Sequence, residues 1–194
     1  MKKAIIIHGY HTKENLANPS KNTPSNHQWI PWLSKQLYMR DIFPIAIEMP
    51  APWRPVYEDW KRELERFELD EDTILIGHSY GGGFLVRYLS ENTVKVNEVY
   101  LVAPYMGADG VEVKDQDPTF FDFQIDQNLV NKTAGVIVFE SSNDMPEIHT
   151  SRQILEQNIA NLKFIDLENK GHFTIATTGT AEFPELAEEI LRNA

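Results

Sequence analysis

Short apolar runs alternate with longer segments of helical periodicity along this chain of 194 residues. Uninterrupted apolar runs are typical of strands that are buried on both faces of a parallel sheet. The pattern predicts strands at 4–7, 42–47, 73–76, 99–102, 136–139 and 162–167, and helices at 29–38, 56–67, 84–89, 148–159 and 184–191. Strands and helices that alternate in this way indicate right-handed βαβ crossovers. The predicted fold class is therefore α/β, a three-layer sandwich with a mostly parallel sheet, helices on both faces and a minimal cap, in a single domain over residues 1–194.

Two segments interrupt the alternation. A polar loop from Gly9 to Gln28 is rich in Asn, Pro, Ser and Thr. The stretch Tyr105–Lys132 contains Gly107, Gly110 and Pro118 and an aromatic cluster, Phe120-Phe121-Asp122-Phe123. A long irregular segment of this kind is often functional, and this one is a candidate for a short cap or lid beside an active site.

Charge and composition narrow the classes of partner. Apolar residues make up 42% of the chain and charged residues 24%, the net charge is −11, and the sequence pI is about 5.0. An acidic surface disfavours nucleic acids and anionic membranes as partners. The absence of cysteine excludes disulfides, thiolate zinc sites and cysteine nucleophiles. The apolar run after Met1-Lys2-Lys3 is too short for a signal peptide, and we expect a cytoplasmic protein.

The candidate chemistry begins at Gly77-His78-Ser79-Tyr80-Gly81, between a predicted strand and a predicted helix. G-x-S-x-G on such a turn is the nucleophile-elbow pattern, in which the central serine stands in strained backbone geometry clear of the sheet. The helix that follows favours developing negative charge at its N-terminus. Ser79 is therefore the predicted nucleophile, whereas a purely structural glycine-rich turn is the alternative interpretation.

A serine hydroxyl needs a histidine base, and the histidine needs an orienting carboxylate. Elbow-type hydrolases carry these groups in the order Ser, Asp or Glu, His. Asp144 lies beyond the predicted strand 136–139, and His172 lies in the loop after the last strand. We predict Asp144 as the acid and His172 as the base, because the carboxyl ends of parallel strands meet at one edge of the sheet.

Other residues compete for these roles. Glu140 and Asp166 are alternative acids, and His11 is the rival base. His8 ends the first strand and is expected to shape the adjacent loop. A metal site that used His8 and His11 would lack a third ligand, so no metal and no organic cofactor are expected. His27 and His149 are expected to be exposed to solvent.

The tetrahedral intermediate needs two backbone donors. The residue after the nucleophile, Tyr80, is the first candidate, and the loop after the first strand supplies the second. In that loop Tyr10 is the predicted donor, with Gly9 as the alternative.

The chain resembles the small α/β-hydrolase family that includes retinoblastoma-binding protein 9 and its bacterial relatives. The likeness lies in His8-Gly9, in Glu48-Met49-Pro50-Ala51-Pro52 before a helix with Trp60, in the elbow, in Ser141-Ser142-Asn143-Asp144, in Gly171-His172-Phe173 and in Glu182-Phe183-Pro184-Glu185-Leu186. The resemblance implies a compact α/β-hydrolase with little or no large cap, with Ser79, Asp144 and His172 as its triad. Members often have a second acidic residue where this chain has Asn143. The long insert from Tyr10 to Gln28 departs from the family pattern.

Together these features predict a serine hydrolase that cleaves a small carboxylic ester or a related acyl compound through an acyl-enzyme. A protein-binding module that keeps the fold with little catalysis is the alternative from another class. Acyl transfer, or thioester or amide hydrolysis, would use the same residues. The expected partner is a small acyl substrate, and a protein partner stays an open alternative.

Overall fold

Six strands form one sheet in the computed structural model, which describes residues 1–107 and 117–193. The strands are β1 Lys3–Ile7, β2 Phe43–Ile47, β3 Thr73–His78, β4 Glu98–Val102, β5 Gly135–Ser141 and β6 Lys163–Leu167. The helices are α1 Lys13–Ala17, α2 Ile30–Tyr38, α3 Tyr57–Leu64, α4 Tyr80–Glu91, α5 Pro146–Asn158, α6 Ile175–Thr178 and α7 Pro184–Asn193. Short 3-10 helices cover Pro24–Asn26 and Leu129–Lys132.

The strand order is β2-β1-β3-β4-β5-β6, and all pairings within the described residues are parallel. The chain leaves β1 toward one edge of the sheet and leaves β3 toward the other. The strand order therefore reverses between β1 and β3, where Ile7 is opposite Gly77. In open parallel sheets ligands bind at the carboxyl ends of the strands beside such a reversal.

Burial explains why these runs form central strands. Residues Ala4–Ile7 and Ile74–Ile76 are fully buried, as are the residues of β4 from Tyr100 to Val102. Right-handed crossovers from this strand order place α2 on one face of the sheet and α3, α4 and α5 on the other. Consistent with this, α2 packs against α7, and the Trp60 ring of α3 lies 5.6 Å from the Phe84 ring of α4. The predicted α/β class with helices flanking a parallel sheet is confirmed.

The elements differ from the prediction mainly at their ends and in the insert. Strands β3 and β5 extend to His78 and Ser141, because polar residues continue the ladder toward the carboxyl edge of the sheet. The predicted loop 9–28 contains α1, whose polar sequence gives no apolar periodicity. Its N-cap is Thr12, whose Oγ1 accepts a hydrogen bond from Asn15 N.

Part of the predicted lid, including Gly110, lies outside the described residues. Of the remainder, Phe120 is buried against Tyr57 and Trp60, so it is a core residue. Among residues 1–107 and 117–193, none of the helices has the length and apolar character needed to cross a membrane.

Candidate active site

Ser79 stands in strained backbone geometry between β3 and α4. Its φ is 54° and its ψ is −118°, a conformation that side-chain-bearing residues rarely adopt. Its N–H donates to Val102 O at 2.9 Å, and its C=O accepts from the N–H groups of Gly82 and Tyr105. These hydrogen bonds hold the serine at the tip of the turn, so the predicted nucleophile elbow is present in the fold.

The glycines of the elbow are required by close backbone contacts. A Cβ at Gly77 would lie 2.5 Å from Gly81 O, and a Cβ at Gly81 would overlap Ile7 O. Strand, turn and helix therefore pack too tightly for any side chain at these two positions. This is the physical reason for the glycine spacing read from the sequence.

The loop after β1 passes directly beside the serine. A Cβ at Gly9 would lie 2.9 Å from Ser79 Cβ and 3.5 Å from its Oγ. The Tyr10 ring lies 5.7 Å from the Tyr80 ring, and Tyr80 stacks on Tyr105 at 4.8 Å. Within the described residues, neither the Gly9 nor the Tyr10 N–H has a hydrogen-bond acceptor. Both remain candidate donors to an oxyanion beside the first residue of α4, Tyr80.

His8 fixes the shape of this loop, as expected from the sequence. Its Nδ1 lies 2.7 Å from Gly9 O and donates to it, while its Nε2 accepts from Met49 N at 3.0 Å. Burial lowers the pKa of His8, against the opposing effects of the Gly9 carbonyl and Glu48. The neutral tautomer with hydrogen on Nδ1 satisfies both contacts. His8 is therefore committed to positioning the loop and is not available as a base.

The predicted acid and base are in contact. His172 Nδ1 lies 3.0 Å from Asp144 Oδ1 and 3.2 Å from Oδ2. The Asp144 side chain is fully buried, and Oδ1 also accepts from Met145 N at 2.7 Å. Donation from Nδ1 leaves Nε2 of His172 free to accept a proton, which is the arrangement a general base needs.

Hydrogen bonds join the loop that carries the acid to the loop that carries the base. We call residues 141–144 and 169–173 the acid–base loops. Asn143 Oδ1 accepts from Gly171 N at 2.7 Å, and Ser141 Oγ accepts from Lys170 N at 2.8 Å. Asn143 is thus a support for the base loop, a role that its place in the sequence did not reveal. Its partner is 28 residues away, so only the fold brings the two together.

His78 provides a further support for the base. Its Nε2 donates to the His172 backbone carbonyl at 3.0 Å, and the two rings lie 5.0 Å apart. Burial, together with the neighbouring His172, lowers the pKa of His78 to about 3. A neutral imidazole can keep this single donated hydrogen bond in the core. The sequence placed His78 beside the nucleophile but gave no sign of this partner.

The predicted nucleophile and the predicted base are not hydrogen-bonded to each other. Within residues 1–107 and 117–193 the Ser79 hydroxyl has no hydrogen-bond partner, His172 included. His78 connects the two, because it precedes Ser79 in the chain and donates a hydrogen bond to the His172 carbonyl. Catalytic hydrogen bonds often form only when substrate is bound. The structure therefore brings Asp144 to His172 and Gly9 to Ser79, and leaves the Ser79–His172 contact open.

The rival acids are engaged elsewhere. Arg152 forms ion pairs with Glu140 and with Asp166. Burial raises the pKa of Glu140 to about 7, although Arg152 opposes this, so its charge is only partly present at neutral pH. Neither carboxylate hydrogen-bonds to His172 among the described residues. Asp144 is the carboxylate that does.

The histidines of the insert have different surroundings from those expected. His11 packs against His8 at 5.6 Å and against His27 at 6.2 Å. Burial and these neighbouring histidines lower the pKa of His11 to about 4. His27 is half-buried, not exposed, because the insert folds back over it. No group of three His, Cys, Asp or Glu side chains suited to a metal ion occurs in the described part of the chain.

The family profile described as "Serine hydrolase" matches residues 4–192. The chain belongs to the serine hydrolase family. The matched range contains Ser79, Asp144 and His172.

One relative is similar to this chain both in sequence and in structure. YdeN of Bacillus subtilis, a protein assigned as a hydrolase, is 34% identical over 90 residues, which cover 45% of this chain and 42% of YdeN. The sequence match thus spans less than half of that curated relative. The crystal structure of the ydeN gene product has a TM-score of 0.83 at 23% identity, and covers 100% of this chain and 98% of that chain.

A more distant neighbour is Est1E from Butyrivibrio proteoclasticus. Its TM-score is 0.67 at 13% identity, with 99% of this chain and 88% of that chain covered. Similarity at this level of identity concerns the fold alone. It places this sheet and its helices among α/β-hydrolase structures.

Proposed function

We propose that this family member is a serine hydrolase that cleaves a small carboxylic ester or a related acyl compound. The observation that carries the proposal is the hydrogen bond between His172 and the buried Asp144, at the same sheet edge as the strained Ser79. A binding module has no use for an acid, a base and a strained serine at one edge. Membership of the serine hydrolase family supports this proposal.

In the proposed first step, Ser79 Oγ attacks the substrate carbonyl carbon and its proton passes to His172 Nε2. The carboxylate of Asp144 stabilises the resulting imidazolium through the hydrogen bond at Nδ1. The carbonyl oxygen becomes an oxyanion, which accepts hydrogen bonds from the Tyr80 N–H and from that of Tyr10 or Gly9. The geometry of the loop after β1 is compatible with either second donor.

The imidazolium then gives its proton to the leaving alcohol as the bond between carbon and leaving oxygen breaks. The acyl group stays on Ser79. Water attacks this ester, His172 accepts the proton of the water, and collapse of the second tetrahedral intermediate returns the proton to Ser79 and releases the acid. All proton transfers use residues of this chain, and neither a metal nor an organic cofactor takes part in the proposal.

The experiment is stopped-flow hydrolysis of p-nitrophenyl esters with acyl chains of graded length. We expect a burst of p-nitrophenol that approaches one equivalent of enzyme, followed by slower turnover, because the acyl-enzyme accumulates. Ser79→Ala should give no burst. Equal turnover by wild type and Ser79→Ala would overturn the assignment of the nucleophile.

Product analysis with competing alcohols, thiols and amines separates hydrolysis from acyl transfer. The closer kinship with the group of retinoblastoma-binding protein 9, the single-domain organisation and the cytoplasmic location remain proposals from the sequence. A protein partner also remains a proposal, and near-zero turnover of every ester would favour it.

A further inference from the structure

A cleft lies beside the candidate active site, between the insert 10–28 and the start of α6. Its volume is about 530 Å³, and its walls include Tyr10 on one side and Thr174 and Ile175 on the other. We call it the insert cleft. Tyr10 follows Gly9, which touches Ser79, and Thr174 is two residues after His172. No triad residue lines the cleft, yet each wall begins within two residues of the catalytic machinery.

One hydrogen bond joins the two walls. Gln28 Oε1 accepts from Ile175 N at 2.7 Å, across 147 residues of sequence. Gln28 itself has a φ of 55°, a left-handed conformation that turns the end of the insert toward α6. The insert is therefore held against the loop that follows the base, and the cleft is a defined part of the catalytic edge.

The lining of the cleft combines polar side chains with the apolar ones of Leu16, Ile175 and Ala176, and Lys21 is its charged member among the described residues. Lys21 donates to Asn15 Oδ1 at 2.5 Å, and both residues line the cleft. The imidazoles of His11 and His27 also line it. No Asp or Glu occurs among its described lining residues, although the whole chain has 29 acidic and 18 basic residues. The local charge is thus opposite in sign to the net charge of the protein.

The polar part of this lining includes several hydrogen-bond donors. The Lys21 ammonium donates only, and a neutral imidazole offers one donor and one acceptor. Burial lowers the pKa of His11 to about 4, so it is neutral at pH 7 and Lys21 supplies the positive charge. The apolar side chains of Leu16, Ile175 and Ala176 suit an alkyl segment of a ligand, whereas a terminal carboxylate would accept hydrogen bonds from the polar groups and pair with the Lys21 ammonium.

From this lining we infer that the insert cleft binds the part of the substrate beyond the reacting carbonyl, and that this part ends in a carboxylate. The inference deepens the proposed function and rests on it. The substrate class is thus an ester or related acyl compound that carries a second, anionic group. Lys21 acts as a specificity residue and takes no part in the bond-breaking step.

The test compares three p-nitrophenyl esters with six-carbon acyl groups that end in methyl, hydroxyl or carboxylate. These are the hexanoate, the 6-hydroxyhexanoate and the mono-adipate, with spontaneous hydrolysis subtracted for each. We expect the mono-adipate to have the highest kcat/KM and the hexanoate the lowest. A single ammonium near the surface favours a carboxylate by roughly fivefold.

Lys21→Met should remove the preference of the mono-adipate over the hydroxy ester, and Lys21→Glu should invert it. Lys13→Glu is the matched control, because Lys13 is exposed on the same insert but does not line the cleft. It should leave the preference in place. The preference is read as a ratio of kcat/KM values within each variant, and hexanoate turnover should stay close to wild type in Lys13→Glu.

The outcomes separate this inference from the proposed function. If wild type hydrolyses hexanoate but shows no preference for the mono-adipate, or if Lys21→Glu keeps that preference, the cleft does not bind the anionic group and the inference is wrong. If wild type hydrolyses none of the three esters and its Ser79 does not react with a fluorophosphonate, the proposed function itself fails.

Discussion

The two sides of the catalytic edge are built in different ways. The acid–base loops are joined to each other by Asn143 and Ser141, and His78 adds a hydrogen bond from the core. The insert is held at its far end by Gln28, and elsewhere by contacts such as Ser25 with Glu48. Several hydrogen bonds hold the acid–base loops together, whereas the insert is held by a few separate hydrogen bonds.

This difference matches the tasks proposed for the two sides. Proton transfer tolerates little displacement, so the acid and the base need supports of their own. A cleft that selects substrates can tolerate more movement, because it contributes binding and not bond-making. Changes in the acid–base loops should therefore lower kcat, whereas changes in the insert should raise KM or alter substrate preference.

The largest expected effect is that of Asp144→Asn. The amide would hold the wrong tautomer of His172 or leave the ring unsupported, and kcat should fall by roughly 10³ to 10⁴. The measurement is steady-state kcat on p-nitrophenyl butyrate, with the unfolding temperature as a check on the fold. Asp166→Asn is the matched control, since Asp166 pairs with Arg152 at the exposed face. Near-wild-type kcat in Asp144→Asn would show that His172 does not depend on this carboxylate.

The second effect concerns pH and stability. The pKa of His78 is lowered to about 3 in the folded protein, below its ordinary value of 6.5, so the unfolded chain binds more protons between these values. The contribution of His78 to the free energy of unfolding should therefore be fully present above pH 6.5. It should decrease as the pH falls toward 3. At pH 5 the loss from His78 is about 2 kcal/mol.

Urea unfolding of wild type and His78→Gln at pH 7 and pH 5 measures this loss. His78→Gln should lose less stability between the two pH values, because it has no imidazole to protonate. His149→Gln, on α5, is the control and should behave like wild type. Identical pH dependence in wild type and His78→Gln would mean that His78 does not stay neutral in the folded protein.

The third effect tests the support from Asn143. Asn143→Ala removes the acceptor of the Gly171 N–H, and kcat should fall by roughly tenfold as the base loop loosens. Asn143→Asp keeps an accepting oxygen and should retain most of the activity. KM should change little in either variant. If Asn143→Ala changed KM but not kcat, Asn143 would contribute to substrate binding and not to the support of the base loop.

The smallest effect is expected on the insert side. Gln28→Ala removes the hydrogen bond to Ile175 N, and KM for carboxylate-ended esters should rise about threefold, with kcat nearly unchanged. Gln28→Glu keeps an accepting oxygen and serves as the matched variant. If Gln28→Ala lowers kcat as strongly as Asn143→Ala, the contrast between the two sides disappears.

The sequence predicts those elements best whose structure is determined by local interactions. The apolar runs 4–7 and 73–76 form central strands, because uninterrupted apolar runs suit strands that are buried on both faces. The elbow glycines could be interpreted from the sequence because each stands where a Cβ would collide with the backbone. Helix α1 was not predicted, because its sequence lacks an apolar stripe and it buries none of its residues. Apolar periodicity does not predict a helix whose recorded contacts are polar, such as those of Asn15 with Thr12 and Lys21.

The supports of the site were not predictable for a different reason. Asn143 with Gly171, His78 with His172, and Gln28 with Ile175 are pairs separated by 28, 94 and 147 residues. Each uses an ordinary polar residue whose role depends on where the fold places its partner. Asp144 and His172 could be predicted as a pair because elbow-type hydrolases carry these groups in a fixed order, and the structure brings the two side chains into contact at 3.0 Å.

The central claim is that Ser79 is a nucleophile activated by the His172–Asp144 pair. Its most direct test is the rate of labelling by a fluorophosphonate, followed by intact mass and mapping of the modified peptide. The account predicts one adduct per chain, on Ser79, with labelling far slower in His172→Ala and in Asp144→Asn and absent in Ser79→Ala. An adduct on another residue, or equal labelling rates in wild type and His172→Ala, would contradict it.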